Sequence, residues 1–157
     1  MASPRQVKDY LAAQSIDVWE YPEGTATAAA AAAAVGCSVA EIAKTILFLI
    51  GGRPVAVVTC GDVKVNSSRL KQAAGFAGKV KLPRADEVES HTGYAPGGVC
   101  PFLLPAGLPV LLDVSMQRFS VVYAAAGSSY SAVPVTVAQL ERLTGGKLAD
   151  LCSPVAE

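Results

Sequence analysis

The chain has 157 residues, 52% of them hydrophobic and 17% charged, which is long enough for one domain with a real core and within the globular class. Thirteen basic and thirteen acidic residues cancel to a formal net charge of zero. No stretch approaches the roughly 20 apolar residues of a membrane span, and the Met1-Ala2-Ser3-Pro4-Arg5 start leads into a polar, amphipathic segment and not a signal-peptide core, so a cytoplasmic protein is expected.

Ser3-Pro4 reads as an N-cap followed by proline in the first helical position. Val7, Tyr10, Leu11 and Gln14 then share one helical face. Asp17–Tyr21 reads as a short strand, and Pro22-Glu23-Gly24 as a turn. The alanines from Ala28 to Ala34 predict a packed helix, since alanine is the best helix former, closed by Gly36 as C-cap. Ser38-Val39-Ala40-Glu41 is a capping box for another short helix.

Lys44–Ile50 and Pro54–Cys60 are nearly continuous apolar runs around Gly51-Gly52. They predict a hairpin in the middle of a sheet. Ser67 or Ser68 caps a helix that ends at Gly75, and Val80–Leu82 reads as a short strand. A helix starts at Asp86-Glu87-Val88-Glu89 and stops at Gly93. The loop from Ala95 to Leu108 is rich in Gly and Pro. Its Val99, Phe102, Leu103 and Leu104 predict that it is packed. Pro109–Asp113, Ser120–Ala124 and Ser131–Val135 read as strands, with a turn at Gly127. Thr136-Val137-Ala138-Gln139 caps a last helix, stopped by Gly145-Gly146. No repeat and no linker divides the chain. The expected fold is one α/β (α+β) domain over residues 1–157, with a mixed, mostly antiparallel or barrel-like sheet flanked by short helices.

Two features carry chemistry. Lys44 opens the most apolar strand, where a cation is costly to bury unless its ammonium has work to do. Downstream, Thr92-Gly93-Tyr94-Ala95-Pro96-Gly97-Gly98-Val99-Cys100-Pro101 supplies glycines where a ligand could approach the backbone closely. Together they read as one site, a cation facing a glycine-lined wall. Between Val63 and Ala85 lie Lys64, Arg69, Lys71, Lys79, Lys81 and Arg84 with no acid among them. Such a block suits an RNA backbone, and equally a solvated helix face and strand edge. Cys37, Cys60, Cys100 and Cys152 are scattered, with no CxxC pair, and His91 is the one histidine. This argues against a zinc site or a disulfide framework, and buried free thiols are expected. No metal or organic cofactor is implied.

Lys44-Thr45 before the apolar strand, Thr92-Gly93-Tyr94, Gly97-Gly98-Val99-Cys100-Pro101, Leu112-Asp113, Val122-Tyr123 and the Gly127 turn follow in an order that resembles the YbaK/EbsC/ProX family. These are freestanding aminoacyl-tRNA deacylases related to the editing domain of bacterial prolyl-tRNA synthetase. The resemblance spans almost the whole chain. It implies hydrolysis of the ester joining a wrong amino acid, alanine or cysteine, to tRNA(Pro), and a prolyl-tRNA synthetase as partner. It places the family lysine on Lys44 and the loop glycine and proline on Gly97 and Pro101. Tyr21, Thr45, Gly98 and Gly127 join the expected substrate site. Some members acting on cysteinyl-tRNA carry an aspartate where this chain has Ala132, a departure that bears on the polar lining of the pocket.

An aminoacyl ester is already activated, so its hydrolysis needs little beyond positioning and charge stabilisation. The sequence offers no G-x-S-x-G elbow, H-E-x-x-H or paired carboxylates. The resemblance implies that a hydroxyl of the terminal ribose helps to activate water. Lys44 would then meet the carbonyl or terminal phosphate, and backbone N–H groups near Gly97 and Gly98 the developing oxyanion. Core packing and a pocket role both fit Tyr21, and a structural role fits Asp113. Two rivals stand beside this reading: a Cys100/His91 hydrolase, and a non-catalytic module that binds tRNA ends or a synthetase.

Overall fold

Gly51 and Gly52 have φ of 57° and 84°. Two consecutive positive values are what a tight two-residue hairpin turn demands, and here they fold the two apolar runs onto each other. The structure, a computed structural model, describes residues 2–154. The chain runs through α1 (Pro4–Ala12), β1 (Trp19–Glu20), α2 (Ala28–Val35), β2 (Ile42–Ile50), β3 (Arg53–Cys60), β4 (Val63–Val65), α3 (Ser67–Ala74), β5 (Val80–Lys81) and α4 (Ala85–Thr92). It continues through β6 (Val110–Asp113), β7 (Val122–Ala124), β8 (Ser131–Val135), α5 (Val137–Thr144), β9 (Lys147–Ala149) and β10 (Cys152–Pro154).

The main sheet has the order β1-β8-β7-β2-β3-β6-β9, with β5 also paired to β2, and β10 pairs with β4 alone. The β2–β7, β3–β6 and β6–β9 pairs are parallel and the rest antiparallel. This is the mixed, mostly antiparallel α/β domain that the patterning predicts, as an open path and not a closed barrel. β2 and β3 occupy its centre, as runs without polar alternation should. Among the described residues no helix is long and apolar enough to cross a membrane.

The hairpin divides the core by the period of a strand. Ala43, Val58 and Cys60 face one side, where they join Leu112, Val122, Val133, Phe102 and the α1 residues Val7 and Leu11. Val55, Val57 and Ile50 face the other, against Leu70 of α3, Leu111 and Leu151. Ile42, on that second face, packs against Ala31 and Ala32 of α2. A helix made of alanine lies close on the sheet because it has no bulk to hold it away. Thr27 caps it by accepting the Ala30 N–H at 3.1 Å, and Gly36 ends it with φ 83°.

Some boundaries differ from the sequence reading, each for a tertiary reason. β2 begins at Ile42, because Ile42 and Ala43 pair with Tyr123 and Ala124 of β7. Lys44 is therefore inside the strand and not at its start. Asn66, not Ser67 or Ser68, caps α3, its side chain accepting the Arg69 N–H at 3.1 Å. The Ser38 capping box forms, but around a single 3-10 turn, Val39–Glu41. The strand expected over Asp17–Tyr21 keeps only Trp19 and Glu20. Gln14 falls beyond the end of α1 and is exposed, while Val7 and Leu11 are fully buried. The Ala95–Leu108 loop is packed: Gly98, Cys100, Pro101 and Phe102 are buried, and Leu103 is the apolar exception. β4, β9 and β10 have no counterpart in the predicted elements.

Candidate active site

β3 covers one edge of β2 along its whole length. The other edge is shared. β7 pairs there with Ile42 and Ala43, and β5 with Leu49 and Ile50. Between them the edge of β2 from Lys44 to Phe48 has no partner strand. At the β7 end of this gap lies a cavity of about 130 Å³.

Ile42 to Thr45 and Tyr123 form its base, and the start of α2 with the segment before it forms one wall. Gly97 and Val99 form a second wall beside it, and Ser131 and Ala132 complete the lining. Lys44 and Thr45 both line it, although side chains alternate along a strand, because the cavity sits at an open edge where both faces are reached. Two hydrogen bonds between buried residues set the α2 wall. The Thr25 hydroxyl donates to the Ser131 carbonyl at 3.0 Å, and the Ser131 N–H donates to the same hydroxyl at 3.1 Å. They tie the segment entering α2 to β8.

Lys44 is half-buried and makes no ion pair or hydrogen bond among the described residues. Asp62 does not neutralise it: that carboxylate is held by Arg118 at 2.6 and 2.9 Å. The Arg118 hydrogen bond is the main cause that lowers the Asp62 carboxyl below its usual range, and Lys44 adds the least. The Thr45 hydroxyl is sealed from solvent and has no hydrogen-bond partner among the described residues. Leaving a desolvated hydroxyl unsatisfied costs about 1–3 kcal/mol.

Ala95-Pro96-Gly97-Gly98 is a type II turn, with proline second, Gly97 at φ 88° third, and the Gly98 N–H donating to the Ala95 carbonyl at 3.0 Å. The Gly98 N–H is thus used by the turn and does not face a ligand, contrary to the sequence reading. The Gly97 N–H has no such partner.

Of the residues expected at the site, the cavity brings together Lys44, Thr45 and Gly97. Tyr21 lines a separate, larger hollow of about 510 Å³ between α1 and the β1–β8 edge. Burial, with Cys37 and Tyr123 nearby, raises its phenol above the usual range. Gly98 and Gly127 pack against each other. A Cβ on Gly98 would lie 3.3 Å from the Gly127 carbonyl, and one on Gly127 would lie 3.1 Å from Val7. Pro101 lies beside Tyr10 and Leu143, away from the cavity. Thr25, Thr27 and Ser131 line the cavity without a sequence signal, since only the fold gathers them, and Tyr123, one of the residues that carry the resemblance, lies at its base.

The basic block is divided. Arg69 pairs with Asp150 and donates to the Cys152 carbonyl at 2.7 Å, and Arg84 pairs with Asp86 and Glu87 beside the start of α4. Lys64 lies on β4 and Lys71 on α3. Lys81 stands on β5 opposite Leu49, on the β2 edge that holds the cavity, about 17 Å along the strand from Lys44, and Lys79 lies just before β5, further away.

The Cys100/His91 hydrolase does not survive the geometry. Cys100 is fully buried, and burial pushes its thiol up to about 11. Its contacts are with Tyr94 and the Phe102 carbonyl, not with histidine. Asp113 is also structural: its carboxylate accepts the Ser115 and Leu151 N–H groups. All four cysteines are free. Among the described residues no group of three or more His, Cys, Asp or Glu is placed to hold a metal.

The fold that carries this cavity is one this chain shares with known proteins. The profile of the family described as "Aminoacyl-tRNA editing domain" matches residues 22–143, and the chain belongs to that family. It is 37% identical to "Uncharacterized protein YwhH" of Bacillus subtilis, over 87% of each chain. It is 26% identical to the "Putative Cys-tRNA(Pro)/Cys-tRNA(Cys) deacylase EbsC" of Enterococcus faecalis, over 83% of this chain and 80% of that one. A solved structure described as "a putative trans-editing enzyme for prolyl tRNA synthetase" superposes with a TM-score of 0.86 and 30% identity, covering 98% of both chains.

Proposed function

We propose that the whole chain acts as one trans-editing deacylase. It hydrolyses the ester between a wrongly attached amino acid and the terminal ribose of tRNA(Pro), with alanine or cysteine as the amino acid removed. The observation that carries this reading is Lys44, whose ammonium has no partner among the described residues and which lines the same small cavity as the Gly97 turn, in a chain of the aminoacyl-tRNA editing family.

No histidine, aspartate or glutamate lines the cavity. Water is therefore activated by the substrate itself, through the free hydroxyl next to the ester on the ribose. The Lys44 ammonium stabilises the charge that develops on the carbonyl oxygen or holds the terminal phosphate, and the Gly97 N–H adds a second donor. A cavity of about 130 Å³ suits a small side chain. A relative whose name gives both Cys-tRNA(Pro) and Cys-tRNA(Cys), and the fold match to a structure described as "a putative trans-editing enzyme for prolyl tRNA synthetase", support proline tRNA as carrier.

The test is incubation of the protein and of Lys44→Ala with tRNA(Pro) charged with alanine, cysteine, serine or proline. The expected result is loss of one wrong amino acid, with proline spared and the Lys44→Ala variant inactive. Hydrolysis of none of the four would sink the tRNA(Pro) assignment, and inactivity on other mischarged tRNAs as well would leave a non-catalytic binding module.

A further inference from the structure

Trp19 is 40% exposed and belongs to none of the three apolar clusters. A single exposed apolar side chain is ordinary. What sets this one apart is its place. It lies on β1, the terminal strand of the sheet, so no further strand covers its outer side. Its ring centroid is 5.8 Å from that of Tyr123, at a tilt of 38°, and Tyr123 is part of the cavity base.

The sheet register explains the meeting. Trp19 stands opposite Ala132, and Tyr123 opposite Pro134 two residues on, so both rings lie on one face of the sheet. Ala132 has only a methyl to place beside them. Ile42, opposite Tyr123, puts Lys44 on that same face. Three strand spacings, about 14 Å, separate the β1 and β2 backbones. That is the reach of a few nucleotides of a single strand, which rises about 3.4 Å per stacked nucleotide.

We propose that Trp19, backed by Tyr123, is a stacking platform for an unpaired base near the 3′ end of the RNA, holding the terminal ester over Lys44. This rests on the deacylase reading above. Aromatic stacking accepts any base, since every base has a π-face. The platform therefore adds affinity for all tRNA 3′ ends alike and does not choose among them.

Trp19 is the one tryptophan of the chain, so its emission reports on the platform directly. Titration with an RNA hairpin that carries an unpaired CCA 3′ end should quench it saturably, and the same hairpin with a blunt end and no unpaired terminal base should quench it far less. Trp19→Ala should raise KM for mischarged tRNA by about 5- to 150-fold, the equivalent of 1–3 kcal/mol of stacking per base, with kcat nearly unchanged. Trp19→Phe should restore most of the loss, and circular dichroism of the alanine variant should match the parent. Emission that does not respond to CCA-ended RNA overturns the proposal, as does an unchanged KM in Trp19→Ala, and either leaves the deacylase reading intact. Quenching by a protein that hydrolyses no mischarged tRNA would uphold the platform and sink the deacylase.

Discussion

Gly97 and Gly36 share a backbone conformation but not an environment. Both have φ near +85°, so an alanine at either costs about 1–2 kcal/mol. A Cβ on Gly36 meets nothing within 4 Å, whereas one on Gly97 lies 3.3 Å from the Ala26 Cβ, in the segment leading to the α2 wall. Gly97→Ala and Gly36→Ala should therefore lose similar stability in urea titrations. Only Gly97→Ala should also lose deacylation, because it pushes the two walls of the cavity apart. Equal activity in the two variants would place the Gly97 turn outside the site. Lys44 and Gly97 were legible in the sequence because a cation in an apolar run and a glycine after proline are local anomalies. Thr25 and Ser131 were not, because their pairing spans 106 residues of sequence and neither residue type is unusual where it stands.

At the scale of elements, local signals did most where they end helices. Gly36, Gly75, Gly93 and Gly145 all close a helix in the left-handed conformation, and each was readable as a stop. Starts were less certain when several polar residues compete, as in Asn66-Ser67-Ser68. The hydrogen bond from Arg69 to the Asn66 side chain decides that case. Asn66→Ala should lower stability by about 1 kcal/mol, while Ser68→Ala should be nearly neutral. The reverse order in denaturant midpoints would restore the serine cap. The strands β4, β9 and β10 escaped because three residues carry no periodicity. Their partners, not their sequences, make them strands.

Across the whole molecule, one ionisation reaches both faces of the sheet. Cys100 belongs to the cluster under α1 and Cys152 to the cluster under α3. Burial raises each thiol from 9.0 to about 11. In each case the folded state holds its proton more tightly than the unfolded chain. The contribution to stability is complete below pH 9 and is lost as pH rises toward 11, on the order of 2 kcal/mol for Cys100 by pH 11 and less for Cys152, which lies nearer the solvent and is screened by it. Thermal melts at pH 7, 9, 10 and 11 should show Tm level at first and then falling. A Tm that stays level to pH 11 would contradict it.

The final described strands have a meaning in time as well as in space. β9 covers the outer edge of β6, and β10 is the sole partner of β4, yet both are made after every other strand. While the chain is still being synthesised, β6 presents an uncovered edge with Leu111 and Leu112 in it, a template on which a neighbouring nascent chain can pair. Emergence of β9 from the ribosome, or a chaperone holding that edge until then, thus separates correct closure from aggregation. A product terminated before Lys147 never leaves the hazardous stage.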